Sequence, residues 1–153
     1  MKHIWTVLCK ESIIDTESNN VSLLNILEQI SIGINDSNGQ QLLKEGKMFN
    51  LNVIPFEIVS FWAKEDRTKS EEADMIIEFL DSKDNKIKEF EQHIMITAQY
   101  SRIRTRIKIN GLSVKDSGTY NFIIKIKDKA VKNAKIVAEI PLEINIGILI
   151  DKK

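Results

Sequence analysis

The chain has 153 residues, enough for one hydrophobic core without covalent staples. Its 22 basic and 22 acidic side chains cancel, which excludes a global field that would gather nucleic acid or an anionic membrane, so any charged site must be local. A single cysteine, Cys9, excludes an intrachain disulfide and fits a reducing, cytoplasmic setting, with the thiol read as a small core residue.

Isoleucine dominates the apolar set, and β-branched side chains favour strands. The apolar stretch from Ile4 to Cys9 is shorter than a signal-peptide core and lacks a small-residue cleavage site, so it reads as a strand. A second strand follows over Ser12 to Thr16, then a turn at Glu17 to Asn20. From Val21 to Ile34 two periods compete. Leu23, Leu27 and Ile30 fit a helical stripe, while Ile26, Ile30, Ile32 and Ile34 fit a strand; the strand is favoured, after at most one helical turn. Asp36-Ser37-Asn38-Gly39 reads as a turn, and Gln40 to Glu45 as a short helix.

Lys47 to Lys64 reads as one long strand, with Phe56, Ile58 and Trp62 on one side and Val53, Val59 and Phe61 on the other. A polar loop, Lys64 to Glu72, leads to a strand over Ala73 to Leu80, and the cluster Asp81 to Lys86 turns the chain. Glu89 to Thr97 then places Phe90, Ile94 and Ile96 on one face. Arg102 to Ile109 places Ile103, Ile107 and Ile109 inward and Arg102, Arg104, Arg106 and Lys108 outward. A hairpin turning near Gln99 would pair Phe90 with Ile107 and Ile94 with Ile103 inside, and Glu91 with Arg106 and Glu89 with Lys108 outside. Tyr120 to Lys127 is the next strand, followed by the charged loop Asp128 to Asn133.

The last strand, Ala134 to Ile146, carries Ile136, Ala138, Ile140, Leu142, Ile144 and Ile146 on one face. Within it Pro141 cannot donate to a ladder, so a free edge or a bulge is expected nearby. The apolar stretch Ile140 to Ile150 is interrupted by Glu143 and too short to span a bilayer. The expectation is an all-β, two-sheet antiparallel β-sandwich of about eight strands, forming one domain over residues 1–153.

Lys115-Asp116-Ser117-Gly118-Thr119-Tyr120-Asn121-Phe122 resembles the E-F corner of immunoglobulin-fold domains, in which Asp-x-Gly-x-Tyr precedes a buried position. Asp116, Gly118 and Tyr120 match. The resemblance implies that the Tyr120 hydroxyl bonds back to upstream backbone and ties the corner between sheets. Phe122 stands where antibody domains carry their second cysteine, so the likeness is to disulfide-free, immunoglobulin-like sandwiches, with Trp62 in place of the strand C tryptophan. Ile13-Ile14-Asp15 and Val21-Ser22-Leu23-Leu24 also resemble small bacterial β-sandwich proteins, a likeness that implies no function.

No residue has the pattern of a catalytic, metal or cofactor site, and the chain is expected not to be an enzyme. His3 and His93 lack the paired spacing of a metal site. Asn110-Gly111 is a turn rather than a phosphate cradle, and Asp81, Asp84 and Asn85 lack the glycine and the later glutamate of a calcium loop. Two surfaces remain. The immunoglobulin-like resemblance implies that Phe61, Ile123 and Val137 are neighbours in a C-F-G sheet and point outward with Val59, forming a patch for a protein partner or a homodimer, unless the chain covers it itself. The alternative is an anion or nucleic-acid site on the row Arg102, Arg104, Arg106 and Lys108, spaced about 7 Å apart. That face carries no aromatic of its own, so base stacking, and with it nucleic acid, is not favoured; pairing with Glu89 and Glu91 is the plainer reading. No membrane partner is expected.

Overall fold

The computed structural model describes residues 1–51, 55–128 and 133–148. Alternating isoleucines lay down extended chain nearly throughout. The strands are β1 (Lys2–Ile14), β2 (Val21–Ile26), β3 (Gln29–Ile34), β4 (Phe49–Leu51), β5 (Phe56–Ala63), β6 (Glu71–Leu80), β7 (Lys86–Ile96), β8 (Arg102–Ile109), β9 (Leu112–Val114), β10 (Gly118–Asp128) and β11 (Lys135–Ile148), with one helix, α1 (Ser37–Lys44). They form a four-stranded sheet, β2-β1-β5-β8, a five-stranded sheet, β3-β11-β10-β6-β7, and a two-stranded ladder, β4-β9. The two large sheets share one core, in which Phe56, Ile58 and Trp62 from one meet Met75, Phe79, Tyr120 and Phe122 from the other.

The all-β expectation holds, with differences that have physical causes. Among the described residues eleven strands form rather than about eight, and β3 joins β11 in parallel, so the pairing is not wholly antiparallel. The N-terminal segment is one strand, β1, instead of two. Val21 to Ile34 contains no helical turn, because Leu27 donates its amide to the Leu8 carbonyl and Glu28 accepts from Glu143, which divides the segment into β2 and β3. Asp36 to Gly39 is the start of α1 rather than a separate turn, since the Asp36 carboxylate accepts from the Gly39 amide at 2.6 Å and caps the helix. The strand expected over Lys47 to Lys64 is divided as well: β4 pairs with β9, and β5 enters the four-stranded sheet. Val53 and residues 129–132 of the charged loop lie outside the described residues.

The expected β7–β8 hairpin does not form. β7 pairs with β6, and β8 pairs with β5 in the opposite sheet. The tight turn at Asp81 to Asn85 holds β7 against β6, because the Asp81 amide bonds the Asn85 carbonyl at 2.9 Å and the Asp81 side chain accepts from the Lys83 and Asn85 amides. Residues 97 to 101 then carry the chain across the core. Lys64, at the end of β5 and only 7% exposed, anchors the crossing by donating from Nζ to the carbonyls of Arg67, Thr97 and Ala98.

In β11 the pattern holds up to a bulge. Opposite Ile124 and Lys125 the register skips Val137, which turns Ile136 out of the apolar face to 58% exposure. Pro141 sits where its missing donor costs nothing. Two residues on, the Glu143 amide bonds Glu28 beside β3, and β3 pairs only from Glu143 onward, so Pro141 faces a free edge.

Candidate functional site

Tyr120 is fully buried and stacks on Phe79, with ring centroids 5.5 Å apart. Its hydroxyl donates to the Asp116 carbonyl at 3.0 Å and lies 3.3 Å from the Lys115 amide, so it closes the loop from which β10 starts. Burial pushes the phenol upward from its ordinary range. Gly118 has φ +153°, a backbone that favours glycine, and a β-carbon there would crowd the Ser82 side chain at 3.1 Å. The corner docks on the β6–β7 turn through an ion pair between Lys115 and Asp81. Asp81 is only 3% exposed. Burial alone would raise its carboxyl, but the Lys115 ammonium, the amides of Asn85 and Lys83 and the Asn85 side chain hold it well below the usual carboxylate range. The three acidic-turn residues singled out for calcium, Asp81, Asp84 and Asn85, therefore build a turn.

The apolar surface expected from Val59, Phe61, Ile123 and Val137 does not form. Val59 and Phe61 lie on β5 in the four-stranded sheet, whereas Ile123 on β10 and Val137 on β11 belong to the five-stranded one. Trp62 lies on β5 too, in the sheet facing β10, so it does not take the strand C place; its indole N–H donates to Thr105 Oγ1 at 3.1 Å inside the core. Val59 and Ile123 are 2% and 6% exposed. Val137, the bulge residue, packs against the core. The end of β1 and the β1–β2 turn lie against the outer faces of β5 and β8 in the same sheet. Ser12 bonds Glu57 through both its amide and its hydroxyl, Arg106 reaches the Ser12 carbonyl, and Arg104 donates to the Asn19 carbonyl and Oδ1, both at 2.6 Å.

The cationic row is where the sequence placed it. Arg102, Arg104, Arg106 and Lys108 project from the outer face of β8, while Ile103, Thr105, Ile107 and Ile109 point inward. Glu89 and Glu91 do not pair with it; they sit on β7 in the other sheet, and Glu89 is bound by Lys86 at 2.6 Å. Among the described residues the row's one ion pair is Arg106 with Glu57, at 3.9 Å. Strand register also brings aromatics beside it, which β8's own sequence could not reveal. Trp5, Phe61 and Arg104 stand side by side across β1, β5 and β8. The guanidinium groups of Arg102 and Arg104 lie 5.7 and 6.0 Å from the Phe61 ring centre. A hollow of about 300 Å³ opens there, with Phe61, Tyr100, Met95 and Arg102 in its wall.

β8 ends its sheet, and its ladder has a definite phase. The Lys64 amide donates to the Ser101 carbonyl at 3.0 Å, and this pair continues the β5–β8 register. In an antiparallel ladder bonded and non-bonded pairs alternate. Ile103, Thr105, Ile107 and Ile109 thus bond to β5. The N–H and C=O groups of Arg102, Arg104, Arg106 and Lys108 point off the sheet.

One arrangement has the outline of a nucleophile and base: His3 Nε2 lies 2.7 Å from Thr6 Oγ1, which donates to Ser60 Oγ at 2.8 Å. Ser60 is 1% exposed and receives the proton rather than giving one, so the chain of bonds packs β1 on β5. Burial lowers the pKa of His3, a partly buried imidazole. His93 bonds Asp74 at 2.8 Å on the outer face of the five-stranded sheet. Among the described residues no three His, Cys, Asp or Glu side chains gather as metal ligands, and no helix is long and apolar enough to cross a membrane. Compared with known proteins, the chain matches no protein-family model and no curated sequence.

Proposed function

We propose that this chain is a non-enzymatic interaction module of immunoglobulin-like topology, and that it takes an acidic, extended segment of a protein as an added strand along the open edge of β8. The strand order supports the topology. β1, β5 and β8 occupy the places of strands A, B and E, and β11, β10, β6 and β7 those of G, F, C and C′, with the tyrosine corner at the start of the F-like strand.

A single observation carries the binding mode: the four residues whose backbone groups face off the sheet are the four that carry positive charge. An incoming antiparallel strand would form its bonded pairs with those residues. Side chains directly opposite in such pairs share a face, so every second residue of the ligand meets a cation. Asp or Glu at alternate positions is the complementary sequence. The intervening residues would extend the inward row of Ile103, Thr105 and Ile107 and should be apolar or β-branched.

A synthetic peptide with glutamate alternating with valine tests this by calorimetry, against a peptide of equal composition with its glutamates consecutive. The alternating peptide should bind at least tenfold more tightly and weaken as salt rises. The exposed pair R102E/K108E should abolish the difference. Equal binding of both peptides to the monomeric chain removes the proposal. Stronger binding of a single-stranded oligonucleotide than of either peptide would replace it with a nucleic-acid site on the same row.

A further inference from the structure

The complementary strand is present on the molecule itself. β7 is the free end of the five-stranded sheet, as β8 is of the four-stranded sheet. Both lie on one side of the sandwich: Thr105 of β8 reaches Met75 of the neighbouring β6, and the crossing at 97–101 joins β7 directly to β8. β7 carries exposed Glu89 and Glu91 on its outward face, where β8 carries its cations.

We infer that two copies of the chain join edge to edge, β7 of each beside β8 of the other, about a twofold axis parallel to the strands. This rests on β8 accepting an added strand and names that strand's source. The geometry closes for three reasons. First, β8 begins at the end of the sandwich where β7 finishes, so the two run in opposite directions. Rotation about an axis along the strands preserves direction, and β7 therefore meets the second copy's β8 antiparallel. Second, the same rotation exchanges the two layers, so both seams form at once and the contact is self-complementary rather than open-ended.

Third, the ladder phase agrees. Counted from the Asp81 amide to Asn85 carbonyl bond through the bulge opposite Phe79, the backbone groups of Glu89 and Glu91 point off their sheet, like those of the β8 cations. β7 has 11 residues and β8 has 8, so the shorter edge can be covered end to end. Exposed Met95 and Tyr100, at 52% and 61%, stand at the end of each seam. Charge also selects the pairing. Sheet edges are commonly guarded by charge; here four cations line the outward face of β8, whereas β7 presents Glu89, held by Lys86, and Glu91, so β8 repels β8 and pairing of β7 with β8 is favoured.

Sedimentation velocity on the full chain over a wide concentration series tests this, with circular dichroism confirming that each variant is folded. The wild type should reach twice its 17.6 kDa and dissociate as salt rises. R102E/K108E and E89K/E91K should each be monomeric. Mixed in equal amounts they should regain the dimer, because one seam then keeps both wild-type edges. A wild type that stays monomeric while binding the alternating acidic peptide overturns self-pairing alone; one that stays monomeric and binds neither peptide overturns both. A dimer that survives in both variants, or a mixture that remains monomeric, also overturns self-pairing.

Discussion

Replacing Asp81 by asparagine should weaken the fold and remove a specific part of its pH dependence. The carboxylate is 3% exposed and accepts from the Lys83 and Asn85 amides at 2.8 Å each, from Asn85 Nδ2 at 3.1 Å and from Lys115. Asparagine keeps one acceptor oxygen but offers Lys115 no charge. Hydrogen bonds to a charged partner contribute about 1.5–3 kcal/mol against about 1 for a neutral pair, so D81N should cost about 1–2 kcal/mol at neutral pH. Alanine, which strips every acceptor, should cost about 3 kcal/mol, a figure held down because Lys115 is 22% exposed and water partly replaces the lost partner. Because the folded carboxyl titrates below its ordinary value, its contribution is fully present above the unfolded pKa of about 3.9 and is lost as the pH falls through the folded value. Urea unfolding followed by tryptophan fluorescence, run from neutral to acid pH, should therefore show wild type and D81N converging on acidification. A variant within about 0.5 kcal/mol of wild type at neutral pH, or a gap that stays constant into acid, refutes the reasoning.

Three further outcomes follow from the same packing. Y120F retains the ring but loses the bonds of its hydroxyl to Asp116 and Lys115, and should lower stability by about 1–2 kcal/mol in the same urea assay. T105V leaves the Trp62 indole N–H unpaired in the core and should cost about 1–3 kcal/mol, with a shift in tryptophan emission. Cys9 is fully buried and its pKa is raised, chiefly by burial, so a thiol-specific disulfide reagent should react only as fast as the chain unfolds; prompt reaction of the native protein would contradict its position.

The sequence by itself determined for most strands which side faces oil and which faces water, because side-chain direction alternates with period two whatever the strand pairs with. Thus Ile103, Ile107 and Ile109 point inward and the cations of β8 point outward, Pro141 falls on a free edge, and the Asp116, Gly118 and Tyr120 corner closes through the tyrosine hydroxyl. Only the tertiary structure decided which strands meet. Glu89 and Glu91 match Arg106 and Lys108 in charge and in periodicity, yet the turn at Asp81 holds β7 against β6, and Lys64 anchors the crossing that sends β8 to the other sheet. The same limit separated Val59 and Phe61 from Ile123 and Val137, and hid the row of Trp5, Phe61 and Arg104. Periodicity is a local property of the chain, whereas the choice of partner and the skip at Val137 depend on backbone bonds between segments distant in sequence.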